Sequence, residues 1–249
     1  MPLRLNRLLA VDGTDDDDGV RLLRSRNDVG TEHLPLTQDR IDAAVRLHED
    51  HLPEWRAADA ALEAVRQAFS GDFSYAPNLV RVATVNTLYG TNLKATHRMA
   101  RHIEGILPRG AELLDPARVV EAIAALPPLA GEALRRHRSF ASKFCHFFVD
   151  ADRFPILDAA ARDALRLHLG PDAARQADTG YAGFCAVLAR LQATYGLTTP
   201  VRDLDRYLWI AGMYRVFARG RRDINRDLLT LFERRPRPAE LACIAEGIG

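Results

Sequence analysis

The chain has 249 residues, 47% of them hydrophobic, with 34 Lys or Arg against 33 Asp or Glu and a net charge of +1. That length supports one large domain or two closely packed lobes and excludes a disulfide-stapled miniature, while three cysteines (Cys145, Cys185, Cys243), odd in number and without a C-x-x-C pair, argue against a zinc knuckle and for a reducing compartment. No run approaches the roughly 18 to 20 apolar residues that span a bilayer, and the opening residues carry Arg4, Arg7 and Asp15 to Asp18 in place of a signal peptide's apolar centre, so a cytoplasmic protein with no membrane partner is expected.

The average charge conceals a division. Residues 1–78 hold 9 Arg against 15 Asp or Glu, whereas residues 79–249 hold 25 Arg or Lys against 18 Asp or Glu. An acidic leader on a basic body suits a nucleic-acid partner, because phosphate attraction depends on the local face and not on the total. Lys94 and Lys143 are the only lysines.

Residues 1–36 mix Asp, Gly, Arg and Thr without sustained periodicity and read as an acidic, irregular segment, with an all-α body over 37–249. Asp12 to Gly19 fails the calcium-loop pattern, since the required register puts Thr14 at the first ligand position, and no metal or cofactor is assigned. Thr37 is an N-cap candidate for a helix carrying Ile41 and Val45; a second helix follows Pro53 with Leu62, Val65 and Phe69 on one side. Both read as packing helices. Leu79, Val82, Val85 and Leu88, then Tyr89-Gly90-Thr91, then Leu93, Met99, Ile103 and Ile106 spell helix, turn, helix. Further helices are predicted near 116–125, 140–149, 158–168, 172–195, 203–218, 223–233 and 238–246, broken by proline or glycine, and strand alternation is nearly absent. The fold class is all-α, two lobes with a central cleft, one lobe from about 79–170 and the other from the helices at both ends.

The segment with most chemistry begins at Arg138-Ser139-Phe140-Ala141-Ser142-Lys143-Phe144-Cys145-His146-Phe147-Phe148. Phe140, Phe144, Phe147 and Phe148 form an i, i+4, i+7, i+8 stripe that anchors a helix in a core, while Lys143 and His146 share an adjoining face. Downstream, Phe154-Pro155-Ile156-Leu157-Asp158 leads into an alanine-rich helix, which puts Asp158 at an N-cap; there its carboxylate accepts backbone N–H bonds and meets the positive helix end.

Ser142-Lys143 and Phe154-Pro155-Ile156-Leu157-Asp158 together resemble the lysine and aspartate of helix-hairpin-helix DNA glycosylases, the HhH-GPD superfamily, and the similarity covers roughly residues 79–217. Ser-Phe-Ala-Ser-Lys at 139–143 and Leu-Asp-Arg-Tyr-Leu-Trp at 204–209 look more narrowly like bacterial proteins with an 8-oxoguanine glycosylase fold, some of which act against phage. The chain departs from that pattern in having Arg136-His137-Arg138-Ser139-Phe140-Ala141-Ser142, without glycine, before the lysine, Ala-Ala after the aspartate, and a lysine-to-aspartate spacing of 15. The resemblance implies a monomeric enzyme that excises a damaged or modified base from double-stranded DNA, with or without AP-lyase activity, in base excision repair or antiviral defence. Asp158 would stabilise positive charge on the sugar and Lys143 would attack it. Arg135, Arg136, Arg138 and Ser142 would contact phosphate, with His146 beside them; Asn86, Thr87 and Tyr89 would probe the duplex; and Tyr207, Trp209 and Tyr214 would wall a pocket for a flipped base. A catalytically inactive helical DNA-binding module and a helical effector with no DNA role remain open.

Overall fold

The structure is a computed structural model that describes residues 33–107, 115–131 and 133–248. The acidic segment 1–32, including the Asp12 to Gly19 stretch, lies outside the described residues.

Among these residues every regular element is an α-helix: α1 Gln38–His51, α2 Pro53–Ala68, α3 Tyr75–Leu88, α4 Thr96–Ile106, α5 Pro116–Ala124, α6 Arg138–Phe148, α7 Ala159–Leu169, α8 Pro171–Asp178, α9 Tyr181–Tyr195, α10 Val201–Ala218, α11 Arg226–Glu233 and α12 Ala239–Ala245. The all-α expectation holds, and no described helix is long and apolar enough to cross a membrane. Proline opens α2, α5 and α8 at the first helical position, where its missing N–H costs nothing. Thr37 stands at the N-cap of α1 in extended conformation, without a side-chain capping bond.

The helical body begins before Thr37. Leu36 is buried in the core, the Leu34 N–H donates to the Leu167 carbonyl, and the Leu34 carbonyl accepts from His168 Nδ1 at 2.6 Å. That donation leaves His168 Nε2 to accept from the Tyr207 hydroxyl at 2.9 Å. A boundary between 36 and 37 therefore cuts through packed chain.

The single helix predicted over 172–195 is two, because Thr179 and Gly180 interrupt it; Gly180 has φ 152°, and the N–H of Tyr181 is taken by the Glu121 carboxylate at 2.9 Å. In the α3–α4 turn, Gly90 and Asn92 have φ 54° and 51°. Asn86 closes this turn by accepting from the Leu93 N–H and the Thr91 hydroxyl, both at 2.8 Å, and donating to the Leu93 carbonyl.

Packing does not follow the expected 79–170 division. Helix α2 sits on α3 and α6 as well as α1, joining the middle helices, while α7 packs on α8, α9 and α10 with the C-terminal ones. Helices α7 and α10 meet closely at Gly212, where a Cβ would stand 2.1 Å from the Ala160 carbonyl oxygen. Ala160 lies in the first turn of α7, so this contact fixes the start of α7 against α10.

Candidate active site

Three of the four phenylalanines of α6 carry out the predicted anchoring. Phe140, Phe144 and Phe148 are buried, with successive ring centroids 6.0 and 5.3 Å apart. Phe147 does not join them. It turns with Ser139, Lys143 and His146 to the wall of a cavity of about 560 Å³, between α6, α7 and α10, with α2 contributing one side. Residues 139, 143, 146 and 147 repeat the i, i+4, i+7, i+8 spacing of a single helical face.

Lys143 is 6% exposed. Its Nζ donates to Ser139 Oγ at 3.0 Å and lies 3.3 Å from Asp158 Oδ2. Asp158 is the N-cap of α7, its Oδ1 accepting the Ala161 N–H at 2.9 Å. One carboxylate oxygen thus holds the helix and the other meets the lysine.

The chain leading to Asp158 is clamped from four sides. Ser142 Oγ accepts the Leu157 N–H at 3.0 Å, the His146 Nδ1 donates to the Phe154 carbonyl at 3.0 Å, the Tyr181 hydroxyl donates to the Pro155 carbonyl at 2.7 Å, and Asp205 Oδ2 accepts the Ile156 N–H at 3.0 Å. Ser142 and His146 are therefore interior supports of residues 154–158, and the expectation that they contact DNA is corrected: both are almost fully buried. His146 still forms part of the cavity wall.

The walls are aromatic. Trp209 meets Trp55 at 4.4 Å between centroids, Trp55 meets Tyr89 at 5.4 Å, and Tyr89 meets Phe147 at 4.9 Å, making one continuous arc. Beyond it, Asp59 accepts from the Tyr89 hydroxyl at 2.8 Å and faces Arg202 and Arg206 at 3.3 and 3.6 Å, with His48 Nε2 at 3.8 Å.

Three buried polar atoms of residues lining this cavity lack a hydrogen-bond partner among the described residues: Asp205 Oδ1, Trp55 Nε1 and His48 Nδ1. Leaving such a group unmet costs about 1–3 kcal/mol, and all three belong to residues of the cavity wall. Burial drives the Asp205 carboxyl well above the usual carboxylate range, and the charge of Asp158 adds to the rise; the Ile156 N–H and Lys143 oppose it. Burial lowers His146 to about 4 and His48 to about 4, with Asp59 partly opposing the fall at His48. His146 Nδ1 is 3.5 Å from Asp205 Oδ2, but a neutral imidazole whose Nδ1 proton already serves Phe154 offers that oxygen no cation.

Of the remaining expected contacts, Tyr89 and Trp209 line the cavity, whereas Tyr207 and Tyr214 do not. Tyr207 is fully buried against His168, and Tyr214 packs between Phe217 and Phe232 at 5.8 and 5.2 Å. Both occupy another face of α10. Asn86 is committed to its turn and Thr87 points to solvent away from the cavity. Arg135 and Arg136 are exposed, Arg136 at the cavity edge, while Arg138 is held by Glu121 at 2.8 Å.

Sequence reasoning gave no site role to His48, Trp55, Asp59 or Arg202, and took Asp205 and Arg206 only as part of the late-helix segment expected to wall the pocket. A signal was present: Trp55 with Asp59 on α2, and Asp205 with Trp209 on α10, are two Trp and Asp pairs at i, i+4 spacing, each placing a carboxylate beside an indole on one face.

A family model named HI_0787_N, described as an N-terminal domain, matches residues 40–152. No curated protein and no solved structure matches the chain. The matched span contains Trp55, Asp59, Tyr89, Lys143 and His146 and ends before Asp158 and Asp205.

Proposed function

We propose that the chain is a DNA glycosylase of the helix-hairpin-helix type, acting on a base flipped out of duplex DNA. The observation that carries this reading is the Lys143–Asp158 pair, 3.3 Å apart, in the wall of an aromatic cavity whose lining residues include three buried polar atoms without a partner among the described residues. A cavity of about 560 Å³ falls within the range of small-molecule sites and accommodates a planar heterocycle against the Trp209, Trp55 and Tyr89 arc. On this reading α2 to α6 form one lobe and α1 with α7 to α12 the other, the duplex lying across the cleft with Arg135 and Arg136 toward phosphate.

Breaking the bond from base to sugar builds positive charge on the sugar, and the fixed Asp158 carboxylate stabilises it. Lys143 is paired with Asp158 in the resting site. Transfer of a proton from Nζ to Asp158 Oδ2 frees an amine that attacks the same carbon; alternatively Asp158 takes a proton from water and the water attacks. The reaction serves base excision repair or defence against phage DNA with modified bases.

The test is base release in single-turnover assays on duplexes carrying 8-oxoguanine, hypoxanthine, uracil or 5-hydroxymethylcytosine. Asp158→Asn keeps the cap and DNA binding but loses base release by about 100-fold or more. Borohydride traps a covalent adduct with wild type and with Lys94→Gln, and none with Lys143→Gln, if the amine is the nucleophile. Release without trapping assigns the attack to water. Duplex binding by wild type without release of any base would make the chain a binding module and end the enzymatic reading.

A further inference from the structure

We infer that Asp205 is the general acid of this site: its Oδ1 carries a proton in the resting protein and delivers it to the departing base. The inference rests on the glycosylase reading and adds to it the group that neutralises the leaving base.

The geometry supports a proton-bearing oxygen at this position. Asp205 is 7% exposed and lies in the wall of the cavity, one turn before Trp209 on α10. Its Oδ2 is satisfied by the Ile156 N–H, and its Oδ1 has no partner. A buried ionised carboxylate with one neutral donor and a bare second oxygen is costly, whereas a carboxylic acid in the cavity wall keeps Oδ1–H as a donor waiting for an acceptor.

Of the charged and titratable groups around it among the described residues, only Lys143 favours its ionised form, and burial and Asp158 act the other way. On α6, Lys143 is engaged by Asp158 and Ser139, and His146 is neutral with Nδ1 committed to Phe154. Asp158, at the start of α7, is an anion that opposes a second one. On α9, Tyr181 and Cys185 are kept in their neutral forms by burial. Arg202 and Arg206, on the same helix as Asp205, are turned to Asp59. Desolvation therefore decides the matter, in the direction of the raised carboxyl.

Two carboxyl groups in one pocket with environments that push them apart provide an acid and a base. In the proposed step the bond between the sugar carbon and the base nitrogen breaks and its electron pair passes to the base, while the Asp205 proton bonds to a ring nitrogen or exocyclic oxygen of that base. Water adds to the sugar carbon and gives its proton to Asp158, or the Lys143 amine adds after giving its own. Base leaves neutral, Asp205 is left as carboxylate, and the proton held by Asp158 returns through solvent to restore Asp205.

Two measurements decide the proposal. The first needs no substrate: with ¹³C-carboxyl aspartate incorporated, the infrared difference between wild type and Asp205→Asn at pH 7 shows a protonated-carboxyl band that the variant lacks. Absence of that band in wild type overturns the inference. Asparagine can still accept the Ile156 N–H; should that variant nevertheless fail to fold, loss of the wild-type band at raised pH provides the same answer, and a wild type with no such band at pH 7 refutes it. The second is the pH profile of single-turnover base release on the duplex panel above. Wild-type release falls as pH rises through the titration of Asp205, Asp205→Asn is about 100-fold slower or more and loses that limb, and Asp205→Glu recovers it in part. Release by Asp205→Asn within threefold of wild type, with the same limb, refutes an acid role. If wild type releases no base from any duplex, the glycosylase reading fails while the infrared band still decides whether Asp205 holds a proton.

Discussion

At the scale of single residues, the site depends on side chains that never meet a ligand. Ser142 is the clearest case: its hydroxyl accepts the Leu157 N–H, in a fully buried setting, one residue before Asp158. Ser142→Ala leaves that N–H without a partner and should cost about 1–3 kcal/mol in urea unfolding. On the proposed function it should also slow base release while leaving duplex affinity unchanged, because the carboxylate loses its placement and no exposed side chain is altered. A phosphate-contacting serine would give the reverse pattern, weaker DNA binding at unchanged stability. The sequence marked Ser142 and His146 as notable through their neighbours in the motif. It did not show that both point inward, since a polar residue on a helix reads the same whether it serves a ligand or a backbone amide.

Among the elements, the contact of α7 with α10 holds the candidate site together. Asp158 caps α7, Asp205 and Trp209 lie on α10, and the two helices touch backbone to side-chain-free backbone at Gly212. Gly212→Ala would ordinarily favour a helix interior by about 0.5–1 kcal/mol. Here the added methyl lies 2.1 Å from the Ala160 carbonyl, and backbone cannot yield as a flexible side chain does. The expected net effect is a loss of about 1–3 kcal/mol in urea unfolding, with a further loss of base release as Asp158 moves away from Lys143. The split of the predicted 172–195 helix belongs to the same scale. Alanine-rich sequence on both sides conceals the break at Thr179-Gly180, where the Glu121 carboxylate of α5, distant in sequence, takes the Tyr181 N–H.

For the whole molecule, burial of titratable groups sets the dependence of stability on pH. His48, His146 and His168 are each lowered from 6.5 to about 4, chiefly by burial. Near pH 5 the unfolded chain protonates all three and the folded chain does not, so unfolding takes up three protons; their contribution is present above pH 6.5 and is lost as pH falls toward 4. Asp205 acts in the opposite sense, because the folded chain keeps a proton that the unfolded chain releases above 3.8. From these four groups unfolding near pH 5 takes up a net of two protons, so stability should fall by about 2.7 kcal/mol per unit of acidification. Urea titrations at pH 4.5 to 6.0 measure this slope. In Asp205→Asn it should steepen by one proton.

Much of the chain's local organisation follows from residue order alone: helical periodicity, proline starts and glycine breaks yield the all-α class and most of the helices, and the Asp158 cap is legible because a carboxylate before an alanine-rich run has one favourable use. Lys143 stands out as one of two lysines beside an aromatic stripe. Tertiary structure alone decided which faces meet. Helix α10 carries Tyr207 and Tyr214 on one side and Asp205 and Trp209 on another, and periodicity describes both equally well. Only the packing of α2, from far away in the sequence, turns the second side into a cavity wall and brings Trp55 to Trp209. The physical reason is that amphipathicity reports how much apolar surface a helix must bury, not against what, and a pocket exists only where the partner's side chains leave polar atoms unmet.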